Sequence, residues 1–183
     1  MGKKNESNSV LDLNPDYVPL ESTAGYPDIL PQDQGGNYTI KYDETFLDVS
    51  VDVDIPFALL KAVAKRESAF DQYAIRNEPA TTRRPPSASY GLMQILWWKD
   101  SDRFKKYGYP DDNILGGSQL YLPYVNIYIG ARIMKDNLIA SGNLRDAINM
   151  YNTGVKESVR VAPNNYVNDI LKCYSTIVKR TVT

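Results

Sequence analysis

A chain of 183 residues with 43% apolar side chains is long enough for one domain with a proper core plus an extension, and too apolar to be disordered throughout. Its 21 basic and 22 acidic side chains nearly cancel, which excludes nucleic-acid binding driven by bulk charge. Histidine is absent, which excludes His-dependent triads and His metal sites and leaves carboxylate chemistry as the main option, with no metal or cofactor expected.

The N-terminus, MGKKNESNSVLDLNPDY, has no apolar run after its two lysines and does not read as a secretory signal. Gly2 invites comparison with the myristoylation pattern, but Glu6 stands where Ser or Thr is needed. No apolar stretch is long enough to span a bilayer. Residues 1–45 are rich in Asn, Asp, Pro, Ser and Gly and read as an extended polar arm or linker. Either it is a floppy tail, or it docks through Tyr17, Val18, Leu20, Tyr26, Ile29 and Leu30. Tyr38 to Tyr42 alternates and suits a short strand. Phe46 to Asp54 alternates too, and strand and helix both stay open there.

From Ile55 the pattern turns helical. Asp54 is the expected N-cap, and Pro56 fits the first turn, where its missing N–H costs nothing. Leu59, Val63 and Glu67 follow at intervals of four, and Leu60 and Ala64 lead to the same Glu67, so one helix face carries apolar residues and a carboxylate. A glutamate in that row faces the interior or a cleft. Partial burial disfavours its charged form, as a general acid working near neutrality requires. The plainer alternative is a boundary glutamate with a packed stem and a wet head.

Asn77 to Ser87 lacks periodicity and reads as a loop, with Arg83 and Arg84 either solvated or touching carboxylates. Ser89 is expected to cap a short helix through Gly91–Leu96. Trp97 and Trp98 follow, at least one of them for the core. Phe104 to Tyr107 predicts a short helix ended by Gly108 and Pro110. Tyr121 to Leu138 predicts a long one with Ile127, Ala131, Met134 and Leu138 as its stripe, and Gly130-Ala131 thinned for a crossing helix. Asn143 caps the next helix, with Leu144, Ala147, Ile148 and Tyr151 inward and Asn152 and Gly154 as its stop. Pro163 opens the last, whose apolar face is Val167, Ile170, Leu171, Tyr174 and Ile177, with Lys179 and Arg180 at its C-terminal end. Cys173, the lone cysteine, sits there as a small core residue and allows no intramolecular disulfide.

Five of these pieces, in order, carry a resemblance. Glu67-Ser68-Ala69-Phe70, Gly91-Leu92-Met93-Gln94-Ile95, Asn126 with Gly130-Ala131, Ala147 with Tyr151-Asn152 and Gly154, and Tyr166-Val167 together resemble the soluble-type (family 1) lytic transglycosylases, relatives of goose-type lysozyme. The likeness runs from about Ile55 to Lys179, and the long loop at 77–87 looks like an insertion. It implies a mainly α, lysozyme-like domain over residues 46–183 behind the N-terminal arm. It also implies cleavage of the MurNAc-β-1,4-GlcNAc bond of peptidoglycan with formation of 1,6-anhydro-MurNAc. Glu67 falls on the family's single catalytic glutamate, acid first and base second. Ser68, Gly91, Met93, Gln94, Tyr151 and Asn152 fall on saccharide-binding positions, and Tyr166 on the residue that orients the glutamate. A second carboxylate at Asp71 or Glu78 would instead permit a water-using lysozyme mechanism. A catalytically silent assembly module with the same fold is the non-enzymatic alternative. The expected partner is the glycan strand of peptidoglycan. Other virion or secretion-machine proteins are expected to bind through the arm, neither nucleic acid nor a membrane span being involved. The expected setting is a phage particle that opens the host wall for genome delivery, with a secretion or conjugation system as the alternative.

Overall fold

Where the sequence left strand and helix open, helical spacing wins. Asp43–Val53 forms α1, because Phe46, Val49, Ser50 and Val53 recur at intervals of three and four and bury one stripe, overriding the strand preference of its valines. The expected break between residues 45 and 46 therefore falls inside this helix. The structure is a computed structural model and describes residues 41–82, 85–154 and 165–181. The anchors proposed for the arm lie outside these, as do Arg83, Arg84, Pro163 and most of the expected strand at Tyr38–Tyr42, whose last two residues turn into α1.

Asp54 does not cap the second helix. It ends the first in left-handed conformation (φ 55°), with its N–H donating to the Ser50 and Val51 carbonyls. Lys135 draws its carboxylate away, at 2.7 Å. The second helix, α2 (Phe57–Ser68), starts behind Pro56 with no side-chain cap. Every residue from Phe57 to Ala64 is buried, Lys61 included. Lys61 is tolerated because its Nζ meets Asp43 Oδ1 at 2.5 Å and sits over the Phe57 and Phe70 rings at 5.4 and 5.9 Å.

Three short antiparallel strands follow in sequence order: β1 (Ile75–Glu78), β2 (Ser87–Tyr90) and β3 (Ile95–Trp97). Both ends of the expected loop are thus strand, with Asn77 opposite Ala88 and Glu78 opposite Ser87. The helix expected over Gly91–Leu96 does not form. Ser89 pairs with Arg76 and Leu96 in the sheet, and Gly91–Gln94 is a tight turn. Gly91 and Gln94 have φ of 71° and 48°, which no right-handed helix accommodates. Trp97 is buried, as expected of one of the two tryptophans.

A 3₁₀ turn at Lys105–Tyr107 and the short α3 (Asp111–Ile114) lead into a 3₁₀ stretch, Leu115–Tyr121, kinked at Gly116 and Gly117. Then come α4 (Pro123–Ser141), α5 (Leu144–Thr153) and α6 (Asn165–Thr181). α4 packs on α1 and α5, and α2 packs on α6. The α4 stripe Ile127, Ala131, Met134 and Leu138 is buried, and the Asn143 side chain caps α5 by accepting from the Asp146 N–H. Val167, Ile170 and Ile177 bury the α6 face, with Leu171, Cys173 and Tyr174 half-buried against the core. Among the described residues no helix is long and apolar enough to cross a membrane.

Two α4 residues hold the 91–94 turn. Asn126, 1% exposed, accepts from the Met93 N–H at 2.7 Å and donates to the Tyr90 and Leu120 carbonyls at 2.8 and 2.7 Å, so one buried amide satisfies three backbone groups. Gly130 leaves room for the Met93 side chain. A Cβ on it would stand 2.6 Å from Met93 Sδ and 3.0 Å from Met93 Cβ.

Two stability outcomes follow. Lys61→Met strands a buried carboxylate and is expected to cost roughly 3–5 kcal/mol in urea unfolding, much of it restored by adding Asp43→Leu. Gly130→Ala overpacks a core contact and is expected to cost about 1–3 kcal/mol in the same measurement.

Candidate active site

Glu67 stands in the last turn of α2. Ala69 and Phe70, both left-handed with φ of 53° and 66°, end the helix at once and open the chain beside it. Its carboxyl lines a groove of about 540 Å³ between the sheet, the C-terminal half of α4 and the end of α5. Arg76, Glu78, Ser89 and Leu96 line it from the sheet, Gln94 from the turn, Ile133 and Asn137 from α4, and Met150 to Gly154 from the end of α5.

The carboxyl is half-buried and one hydroxyl holds it. Tyr166, 99 residues away on α6, donates a short hydrogen bond to Glu67 Oε1. Burial raises the Glu67 pKa above the ordinary range, against the opposing pull of the Tyr166 hydroxyl and of the Arg76 and Arg66 charges. The carbonyl end of α2 acts in the same direction as burial, since the helix dipole disfavours a negative charge there. Burial, together with the Glu67 charge and hydrogen bond, pushes the Tyr166 phenol far up, so it stays a neutral donor. Arg66 flanks this pair, over the Tyr166 ring at 5.3 Å and 3.3 Å from Asp169 of α6.

The other expected site residues divide by position. Gln94, Tyr151 and Asn152 line the groove with Glu67. Gln94 Nε2 donates to the Gly91 and Ala74 carbonyls at 3.1 and 3.3 Å, which stabilises its unusual backbone. Tyr151 donates to the Met93 carbonyl at 2.9 Å. Burial holds that phenol protonated, with its pKa well above the usual value. Ser68, Gly91 and Met93 were expected at the saccharide, and none of them lines the groove. The Ser68 hydroxyl donates to the Leu92 carbonyl at 2.8 Å and so ties the end of α2 to the turn. Gly91 is required because a Cβ would meet Asn126 Nδ2 at 2.4 Å. The Met93 side chain is 0% exposed, against Gly130. These three shape the turn that carries Gln94.

Of the two candidate second carboxylates, Glu78 reaches the groove and is ion-paired with Arg76 at 2.7 Å. Asp71 does not line it, and accepts from the Tyr73 N–H at 2.9 Å. Sequence reasoning missed Arg76 and Arg103. Alternation along β1 would have put Arg76 beside Glu78 on one face, had the segment been read as a strand. Arg103 also lines the groove, donating to the Leu96 carbonyl at 2.7 Å and lying 5.3 Å from each of the Trp98 and Phe104 rings.

Comparison with known proteins agrees with this architecture. The Transglycosylase SLT domain family profile matches residues 48–172. The chain is similar to Protein IpgF of Shigella sonnei and to Protein IpgF of Shigella flexneri, each 27% identical over 124 residues, which is 68% of this chain and 74% of the relative. It is also similar in structure to an inactive glutamate-to-glutamine mutant of the lytic transglycosylase Slt from Pseudomonas aeruginosa, with a TM-score of 0.60 at 19% identity. That likeness covers 78% of this chain and 25% of the Slt chain, so the present chain spans about a quarter of that enzyme. With its helices in this lysozyme-like arrangement and the family profile covering more than half its length, the chain belongs to the transglycosylase SLT domain family.

Proposed function

We propose that this chain is a peptidoglycan lytic transglycosylase that cleaves the MurNAc-β-1,4-GlcNAc bond and closes the MurNAc end as a 1,6-anhydro sugar. The observation that carries this reading is one raised carboxyl, on a groove, gripped by a phenol that remains a donor. The Glu67 carboxyl gives its proton to the glycosidic oxygen as the C1–O bond breaks, and the electron pair leaves with that oxygen. Positive charge develops at C1. The carboxylate then takes the proton of the MurNAc 6-hydroxyl as its oxygen bonds to C1, which regenerates the acid without water. Burial supplies the protonated form for the first step, and the Tyr166 hydroxyl stabilises the carboxylate for the second. The Asn152 side chain, with both donor and acceptor, and the Gln94 amide oxygen, as acceptor, suit the acetamido and hydroxyl groups of the sugars.

A hydrolytic route would need a carboxylate free to position water across the bond. The groove's candidate, Glu78, is already tied to Arg76, which favours transglycosylation. Mass spectrometry of digested peptidoglycan separates the two, because anhydro ends are lighter than hydrolytic ends by one water. Hydrolytic ends alone would overturn the proposal. Both Shigella relatives are bacterial proteins, which favours a bacterial setting over the phage particle expected from the sequence. Finding the chain in purified virions would reverse that preference.

Glu67→Gln removes the only group proposed to move a proton. Turbidity clearance of purified cell walls is expected to fall by roughly a hundred- to ten-thousand-fold. The same variant tests the burial argument. A group whose pKa is raised by folding stabilises the fold fully below its unfolded pKa, and that contribution is lost as pH rises through the folded pKa. Glu67→Gln is therefore expected to melt above wild type in mildly alkaline buffer, with the gap closing below about pH 4. Tyr166→Phe removes a hydrogen bond that favours the carboxylate. Its expected signature is a fall in kcat of about tenfold or more with KM little changed, and an alkaline limb displaced to higher pH.

A further inference from the structure

Arg76 and Glu78 are alternate residues on β1, so both side chains fall on one face of the sheet, opposite Ser89 and Ser87 of β2. That face is a wall of the groove that Glu67 lines. Arg76 Nε donates to Glu78 Oε1 at 2.7 Å, and the two side chains are 62% and 23% exposed. The groove thus carries a carboxyl, a guanidinium and a second carboxylate in one water-accessible space, and nothing in the reaction proposed above uses the last two.

We propose that the Arg76–Glu78 ion pair is a positioning pair for Glu67, the Arg76 guanidinium lining the same groove as the glutamate and Glu78 restraining Arg76 and offsetting its charge. Glu67 must be protonated for one half of the cycle and ionised for the other, so a bias too far in either direction slows one half. The other polar and charged groups around the site have partners of their own. Tyr166 on α6 and Tyr151 on α5 are phenols held neutral by burial. Arg66 on the same helix is paired with Asp169. Arg103, in the same groove, donates to the Leu96 carbonyl. Arg76 is among the charges that favour the ionised form of Glu67, and Glu78, paired to it at 2.7 Å, offsets that charge.

The two members of the pair therefore act with opposite sign. Glu78→Gln leaves the full charge of Arg76 to face Glu67, favours the carboxylate and moves the Glu67 titration to lower pH. Arg76→Gln leaves a bare carboxylate facing Glu67 and moves the titration to higher pH. Arg76→Lys, which keeps the charge, is expected to return it towards wild type, as is the Arg76→Gln/Glu78→Gln double variant. The measurement is an NMR pH titration of the ¹³C-labelled Glu67 carboxyl in the full chain, its signal assigned by its absence from Glu67→Gln. A second readout is the pH profile of wall lysis, where Glu78→Gln is expected to lower the rate at mildly alkaline pH about threefold, the scale of one partly screened charge. Displacement of the two single variants in the same direction, or no displacement in either, overturns the inference. The inference rests on Glu67 as the acid of the proposed reaction, but the titration does not need turnover. A wild-type chain that fails to lyse walls overturns the proposed function, whereas an unmoved titration overturns only the role of the pair.

Discussion

The site depends on one constraint: a carboxyl must be kept partly dry without being driven into the core. Glu67 meets it by standing in the last turn of α2, where Ala69 and Phe70 break the helix and the groove opens beside it. Burial by itself disfavours the charged form. The Tyr166 hydroxyl supplies the counterweight, and because that phenol is itself far from ionising, it cannot compete for the proton. Glu67 therefore lies between two opposing influences, as the proposed reaction requires of a group that gives up one proton and later takes another.

Much of the rest of the fold keeps the opposite wall in place. The 91–94 turn has two residues in left-handed conformation and no regular hydrogen-bond ladder of its own. It is fixed from outside, by Asn126 under it, by Ser68 from the end of α2 and by Tyr151 from α5. Met93 locks it into the gap above Gly130. A strained turn persists only when its surroundings over-determine it, and here three helices do so. The benefit goes to Gln94, the turn residue that faces the groove. Ser68, Gly91 and Met93, which resemble saccharide-binding positions by sequence, act one layer behind it.

The buried Lys61–Asp43 pair follows a different logic. It joins α2 to the first turn of α1. Such pairs give little net stability compared with apolar packing of the same volume, while an unpaired member is costly. Its effect is to fix how α1 seats on α2, and α1 also packs on α4.

Local pattern was enough for α2, α4, α5 and α6 and for the row that carries Glu67, because apolar spacing at three and four residues reports a buried face wherever that face ends up. The cap of α5 by Asn143 and its glycine stop were legible for the same reason: both act within a few residues. The five short pieces around Glu67, Gln94, Asn126, Tyr151 and Tyr166 were enough to suggest the family. Local pattern failed where partners lie far along the chain. Asp54 looked like a cap until Lys135, 81 residues later, drew its carboxylate elsewhere. Gly91–Leu96 looked helical because the groups that impose the turn, Asn126, Ser68, Tyr151 and the sheet pairing, come from other segments of the chain. That Met93 of the turn fills the space at Gly130 was not visible in the sequence either. Arg76 was invisible as a groove residue, since a four-residue strand has too little alternation to announce itself. The groove is made of segments that meet only after folding. Sequence could say which carboxylate was unusual, but only tertiary packing decided what surrounds it and what charge it sees.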